Sequence, residues 1–168
     1  LIAVYGYETA FDAQPLEIHT TGDFYQNVNG GPTSLNISSG LWTFIPDLEW
    51  DSFITVGYPD NTSSSMNQVG FDYTDFEAGN SWTVDDLWGG SVFNVPGDAM
   101  SLAGVEGKVL VAQLTTNGDI DLLLNFQWRD PSDNSFAVTG ATLNLPLPMS
   151  GGCTDENALN YDSLALED

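Results

Sequence analysis

Oxygen-bearing side chains are concentrated at short spacing in the segment 153–168. They are Asp155, Asn157, Asn160, Asp162 and Asp168. Calcium accepts about six to eight oxygen ligands from carboxylates, amides and backbone carbonyls. The segment therefore predicts a structural Ca²⁺ site with these five residues as ligands, although their spacing is not that of an EF-hand. The alternative is a solvated acidic loop without a bound ion.

Two further groups of carboxylates have the composition of a glycosidase site, which uses a pair of carboxyl groups. They are Asp47, Glu49 and Asp51 in one segment and Asp85 and Asp86 in another. Such pairs arise by chance in a chain with 24 Asp and Glu. There is no phosphate-binding glycine loop, zinc-ligand spacing or nucleophile elbow. The sequence therefore predicts no catalytic residue and no enzyme, and we interpret the single histidine, His19, as an ordinary strand residue.

Tryptophan offers a second chemistry, because an amphipathic ring can present an apolar face to a sugar. Trp50 and Trp128 lie on alternating segments whose apolar side is predicted to face the core. The other three, Trp42, Trp82 and Trp88, are candidates for an exposed sugar-binding platform. The alternative is that these three also belong to the core.

Two asparagines match the acceptor pattern for N-glycosylation. Asn36 begins Asn-Ile-Ser, and Asn61 begins Asn-Thr-Ser in a serine-rich loop. A glycan on either residue would indicate a eukaryotic secreted protein, whereas a bacterial source would usually leave both bare.

The elements that position these residues are predicted to be β-strands. Segments rich in Val, Ile, Phe, Tyr and Trp alternate with clusters of Gly, Asn, Asp, Pro and Ser, and no stretch keeps helical apolar spacing for three turns. We expect an antiparallel β-sandwich, jelly-roll or immunoglobulin-like, over residues 1–145, a linker over 146–152 and the start of a connector over 153–168. Strands are predicted near 1–7, 15–20, 23–27, 69–76, 90–95 and 136–145.

A hairpin is predicted over 108–129. Asn117-Gly118 suits a two-residue type I′ turn, in which both central residues need positive φ. This turn would place Val109 opposite Phe126 on a core face.

Residues 47–56 alternate between apolar and polar types and predict a half-buried strand. Its inner side would hold Leu48, Trp50, Ile54 and Val56, and its outer side Asp47, Glu49, Asp51 and Thr55.

The charge balance excludes two classes of partner. The formal net charge is −22, and Lys108 and Arg129 are the only basic residues other than histidine. A nucleic-acid binder needs a basic footprint, and an anionic membrane surface would repel this chain. No apolar run approaches the roughly 20 residues that span a bilayer. Salt or bound calcium would relieve the repulsion between carboxylates, which favours an extracellular location.

The chain has one cysteine, Cys153, which is unusual for a secreted protein unless its partner lies elsewhere. Residues 1–7 have the composition of the middle of a strand. We therefore expect both ends to be cut from a larger polypeptide.

The segment from Cys153 to Asp168 reads CTDENALNYDSLALED. It resembles the repeat G-C-x-D-x-x-A-x-N-Y-x-x-x-A-x-x-D-D-G-S-C of large secreted proteins of marine bacteria and some protists. In those proteins the repeat follows β-rich modules with segments similar to those beginning at Trp50 and at Trp88. The resemblance implies a disulfide between Cys153 and a cysteine beyond Asp168. It implies location and modular architecture more than activity, because the family is largely uncharacterised.

These features predict a non-enzymatic structural or adhesive module of a large extracellular or cell-surface protein, a repeating unit of a fibre, filament or layer stabilised by Ca²⁺. Its partners would be neighbouring modules or identical subunits, and glycans are a further candidate. The alternative is a carbohydrate-binding module of a secreted adhesin or of a polysaccharide-degrading system.

Overall fold

The computed structural model describes residues 1–8, 14–62 and 65–147, which form an all-β, antiparallel fold, as the sequence predicts. The strands are β1 (Ala3–Gly6), β2 (Leu16–Thr20), β3 (Phe53–Ile54), β4 (Asn67–Val69), β5 (Trp82–Val84), β6 (Gly90–Phe93), β7 (Ala112–Gln113), β8 (Ile120–Arg129) and β9 (Ser135–Leu145). The helical elements of these residues are one α-helical turn, α1 (Thr74–Glu77), and the 3-10 helices Ser34–Asn36, Ser39–Leu41, Pro46–Trp50 and Ala99–Ser101. None of the helices described is long and apolar enough to cross a membrane.

Strand β8 organises the large sheet of seven strands. One edge of β8 pairs with β1 at residues 125–127 and with β2 at residues 120–123, so β1 and β2 lie end to end along it. Strand β9 pairs with the other edge of β8 over nearly its whole length. Strands β6 and β4 extend the sheet beyond β1, and β5 extends it beyond β2. Strands β3 and β7 form a separate two-stranded sheet.

The hydrophobic core lies on one face of the large sheet. Residues directly opposite each other in paired strands share a face, and the even-numbered residues of β8 share theirs with Val4 and Ile18. The small sheet, α1 and intervening loops cover this face with side chains such as Ile54, Val56 and Phe76. The second sheet has two strands within the described residues, so a jelly-roll or immunoglobulin-like arrangement stays a prediction.

The predicted hairpin over 108–129 is wrong. Both edges of β8 are occupied by other strands, and β7 pairs with β3 instead. Neither Asn117 nor Gly118 has the positive φ that a type I′ turn requires. Gly118 is needed for a different reason: a Cβ there would lie 2.1 Å from the backbone nitrogen of Gly22, so two chain segments cross in close contact at this point.

The predicted strand over 47–56 is also mostly wrong. Residues Pro46–Trp50 form a 3-10 helix with proline in its first turn, and strand structure is confined to Phe53–Ile54. Leu48, Ile54 and Val56 are buried as expected, but so is every residue from 51 to 58. The alternating pattern therefore fails because this segment passes through the interior with both sides covered.

The other predicted strands have mixed outcomes. The strands predicted near 1–7, 15–20, 90–95 and 136–145 are confirmed as β1, β2, β6 and β9. The segment 23–27 makes only an isolated bridge, between Phe24 and Thr116. The segment 69–76 begins at the end of β4 and runs into α1, where Phe76 is buried against the sheet.

Candidate functional site

The predicted calcium site lies outside the described residues. This applies to Asp155, Asn157, Asn160, Asp162 and Asp168, and to Cys153 with its implied disulfide. Of the predicted linker, only Pro146 and Leu147 are described. Within the described ranges no three acidic, histidine or cysteine side chains come together to hold a metal ion. The calcium site and the connector stay predictions.

The structure removes Trp82 from the predicted tryptophan platform. Trp82 is 2% exposed, and its indole nitrogen donates a 2.7 Å hydrogen bond to the carbonyl of Asp72. Trp42 is half-buried, and Trp88 is the one largely exposed residue of the three, at 87%. Trp82 is inside because β5 pairs with β2 on the core face, opposite Ile18. Conversely, Trp50, which the sequence places in the core, is 58% exposed.

The carboxylate groups separate into different roles. Asp47 and Glu49 are exposed, whereas Asp51 is fully buried, contrary to its predicted outward position. Asp51 accepts the backbone N–H groups of Asn27 at 2.5 Å and Gly31 at 2.9 Å. Burial raises the pKa of Asp51, and these two hydrogen bonds oppose that rise. Asp51 thus holds the 27–31 loop in place.

The second group of carboxylates forms part of a turn. Asp86 accepts the backbone N–H groups of Trp88 and Gly89 at 2.8 and 2.7 Å, and Asp85 is exposed beside it. His19 lies in β2, as predicted, 3.1 Å from the hydroxyl of Thr83.

Both acceptor asparagines lie at the surface. Asn36 is exposed at the end of the 3-10 helix Ser34–Asn36, and its side-chain oxygen accepts a 3.1 Å hydrogen bond from Thr33. Asn61 is exposed in a bend, and its backbone nitrogen donates to the carbonyl of Ile37. Their glycosylation stays a prediction.

Strand β9 is the outermost strand on its side of the large sheet among the described residues. It reads SFAVTGATLNL, eleven residues without a single charge, in a chain whose net charge is −22. Soluble proteins usually protect a free edge with charges, proline or a short strand, because its unpaired backbone groups can pair with another strand. The other outer strands, β4 and β5, follow this rule with three residues each.

The large apolar side chains of β9 lie on the core face of the sheet. Phe136 and Val138 are opposite Trp128 and Phe126, and Leu143 is opposite Leu122. The large apolar residues of β9 remain 42–49% exposed, because the covering layer formed by the described residues does not extend over them. They are Phe136, Val138, Leu143 and Leu145. Within the described part of the chain, the core face therefore continues without a covering layer to the edge of β9.

A bulge in β9 keeps these apolar residues on one face. The register between β8 and β9 shifts between Leu124 and Phe126, where Gly140 has φ of +69°. The side chain of Asn125 is buried at this point, and its oxygen accepts the Gly140 N–H at 2.9 Å. Without the extra residue, the apolar residues on one side of the bulge would turn to the opposite face.

The described residues define an acidic all-β protein with one long, uncharged strand at the edge of its main sheet. No family model matches the chain, and comparisons with curated proteins and with solved structures find no match either.

Proposed function

We propose that this protein is a non-enzymatic structural or adhesive module of a large extracellular protein, and that copies or neighbouring modules join by adding a strand to the free edge of β9. The observation that carries the proposal is the absence of charge along this eleven-residue edge in a chain of net charge −22. Edge-to-edge pairing is a general mode of protein association, in which main-chain hydrogen bonds supply affinity. The calcium-stabilised, disulfide-closed connector is part of the proposal on sequence grounds.

Electrostatics favour this edge over other surfaces. Two molecules that each carry −22 repel wherever their carboxylates approach, so contact is least unfavourable at an uncharged strand. The range of this repulsion falls from about 8 Å at 0.15 M salt to about 3 Å at 1 M. Association through β9 should therefore strengthen as salt rises, in agreement with an extracellular, salt-rich setting.

Packing supports the same edge. A strand added beside β9 would lie next to Val138 and Leu143, which are already on the core face and half exposed. Apolar side chains on the incoming strand would cover them and continue the core across the junction. The polar residues of β9, such as Thr142 and Asn144, lie on the other face and would remain in contact with water.

The test is the state of association of the full chain as a function of protein and salt concentration. Sedimentation and negative-stain microscopy should detect dimers or longer polymers that increase with NaCl. A reductant keeps Cys153 from cross-linking the molecules. Val138→Lys places a charge at the β9 edge and should raise the concentration needed for association at least tenfold. Val69→Lys is the matched control, since Val69 is an exposed residue of the short outer strand β4.

Two outcomes would refute the assignment of the edge. The natural chain could remain monomeric at all salt concentrations, or Val69→Lys could impair association as much as Val138→Lys does. Chelator tests the connector separately: if the predicted calcium site matters for assembly, EDTA should loosen the polymers, whereas polymers that are indifferent to EDTA would remove calcium from the proposal.

A further inference from the structure

A cleft of about 620 Å³ opens on the surface between three chain segments, at residues 23–25, 47–50 and 115–117. Its volume falls within the range of about 300–1,000 Å³ typical of small-molecule sites. It is distinct from the β9 edge, and no strand of the large sheet lines it. Two aromatic rings, Tyr25 and Trp50, and two carboxylates, Asp23 and Asp47, lie on its walls.

The backbone around Trp50 is held from both sides. The side-chain amide of Gln113 donates to the carbonyls of Glu49 and Asp51, at 2.9 and 2.8 Å, which are the residues before and after Trp50. Leu48 anchors the same 3-10 helix in the interior, and Asp51 is buried at its end. Trp50 therefore has a fixed backbone but an indole that projects into solvent.

The opposite wall is held in the same way. The backbone nitrogen of Tyr25 donates to the carbonyl of Thr115 at 2.7 Å, and its carbonyl accepts from the nitrogen of Ser52 at 3.0 Å. The side-chain oxygen of Asn117 accepts from the backbone nitrogen of Asp23 at 2.9 Å. These bonds link all three segments, so the cleft is preformed, and a ligand would not have to order it.

The rings of Tyr25 and Trp50 are only partly covered by the fold. Trp50 is 58% and Tyr25 37% exposed, and neither takes part in the aromatic pairs of the described residues. A large apolar ring on a rigid backbone gains free energy only when something covers it. The buried Phe24 also lines the cleft and adds an apolar side chain to its surface.

The polar groups of the cleft indicate which class of ligand could bind against the aromatic rings. In the described part of the chain, the carboxylates of Asp23 and Asp47 have no hydrogen-bond or ion-pair partner, and the amide nitrogen of Asn117 donates no bond. Carboxylates accept strong hydrogen bonds from hydroxyl groups, and an amide nitrogen donates to a hydroxyl oxygen. No lining residue, all of which lie in the described ranges, is basic. An anionic ligand would be repelled.

The cleft combines partly exposed aromatic rings, carboxylates that have no hydrogen-bond partner among the described residues, and a lining without a basic residue. From this combination, we infer that the cleft between Tyr25 and Trp50 binds a neutral saccharide. The indole of Trp50 would stack on the apolar face of a pyranose ring. Asp23, Asp47 and Asn117 would bind its hydroxyl groups. This inference does not depend on strand addition at β9.

Titration calorimetry with the full chain tests the inference. The probes are neutral oligosaccharides of glucose, mannose, xylose and galactose, with alginate and heparin as anionic polysaccharides and tetramethylammonium as a cation that aromatic rings can bind. At least one neutral oligosaccharide should bind, and the anionic polymers should not. Trp50→Ala should weaken binding at least tenfold, equivalent to about 1.4 kcal/mol. Trp50→Phe, which keeps a ring, should lose less.

Trp88→Ala is the matched control, since it removes an even more exposed indole outside the cleft and should leave affinity within twofold. Val138→Lys should bind the saccharide as the natural chain does, which separates this site from the β9 edge. The inference is overturned if no neutral saccharide binds, if tetramethylammonium binds in their place, or if Trp88→Ala loses as much affinity as Trp50→Ala. Circular dichroism of each variant distinguishes lost binding from lost folding.

Discussion

The isosteric substitution Asn125→Asp should destabilise the fold far more than its size suggests. Asn125 is fully buried where β1, β2 and β9 meet on β8. Its amide nitrogen lies 2.8, 2.9 and 3.1 Å from the carbonyl oxygens of Tyr5, Gln14 and Pro15. The substitution exchanges this donor for an acceptor, so an oxygen would face three carbonyl oxygens without a proton between them.

The free energy of unfolding lost in Asn125→Asp has two parts. An amide nitrogen carries two protons, so at most two of the three contacts are full hydrogen bonds, and losing two neutral bonds costs about 1–3 kcal/mol. A buried charge left without a partner costs about 3–5 kcal/mol, although protonation of the carboxyl limits that penalty. We therefore expect a loss of at least about 3 kcal/mol at pH 8. This is a large share of the about 5–15 kcal/mol that stabilises a typical domain.

Urea unfolding, followed by tryptophan fluorescence, measures this loss. The introduced carboxyl should have a higher pKa in the folded than in the unfolded chain, because burial and the carbonyls disfavour its charge. The part of the lost stability that comes from the buried charge should therefore be small below about pH 4 and grow as the pH rises through the folded-state pKa. Asn80→Asp adds the same charge at an exposed site and is the control. A loss below about 1 kcal/mol at pH 8, or an equal loss in the control, would refute the reasoning.

Two further predictions concern the core and a buried acid. Trp82→Ala should lower the free energy of unfolding by about 3–5 kcal/mol, because a buried indole and its bond to Asp72 are lost, whereas Trp88→Ala should change it by less than about 0.5 kcal/mol in the same urea titration. Burial raises the folded-state pKa of Asp51, so its stabilising contribution is present below the unfolded-state pKa and is lost as the pH rises through the folded-state pKa. Thermal unfolding should therefore show the natural chain gaining stability relative to Asp51→Asn as the pH falls through the folded-state pKa of Asp51 toward the unfolded-state value of about 3.9; parallel pH profiles would contradict this.

The sequence predicts the positions of strands better than it predicts which strands pair with each other. β2, β6 and β9 are found where local composition and turn residues place them. The predicted hairpin over 108–129 fails because strand pairing depends on distant segments: one edge of β8 pairs with β1 and β2, whose residues lie 100 or more positions earlier in the chain. Asn117-Gly118 is a sound turn signal by itself, but the side chain of Asn117 binds the backbone of Asp23 instead.

The candidate sites were harder to predict for a related reason. β9 is long and lacks the charges and proline that usually mark an edge strand, so its free edge is apparent only once the sheet order is known. The sequence near Trp50 contains a helix signal, because Pro46 followed by Asp47 is typical of the first turn of a helix. The alternation of apolar and polar residues over 47–56 indicated a strand instead, and so placed Trp50 in the core. Trp82 gave no such signal, because its burial results from the pairing of β5 with β2.

The net charge of −22 affects the two proposed surfaces differently, although neither has a basic side chain among the residues that form it. Strand addition at β9 brings two highly charged molecules together, so its free energy contains a long-range repulsion that salt screens. A neutral saccharide brings no charge to the cleft, and its hydrogen bonds to Asp23 and Asp47 act at contact distance, where screening has little effect. Raising NaCl should thus strengthen association and leave saccharide affinity nearly constant. If both responded to salt in parallel, they would share an electrostatic cause, and the separation of edge and cleft would be wrong.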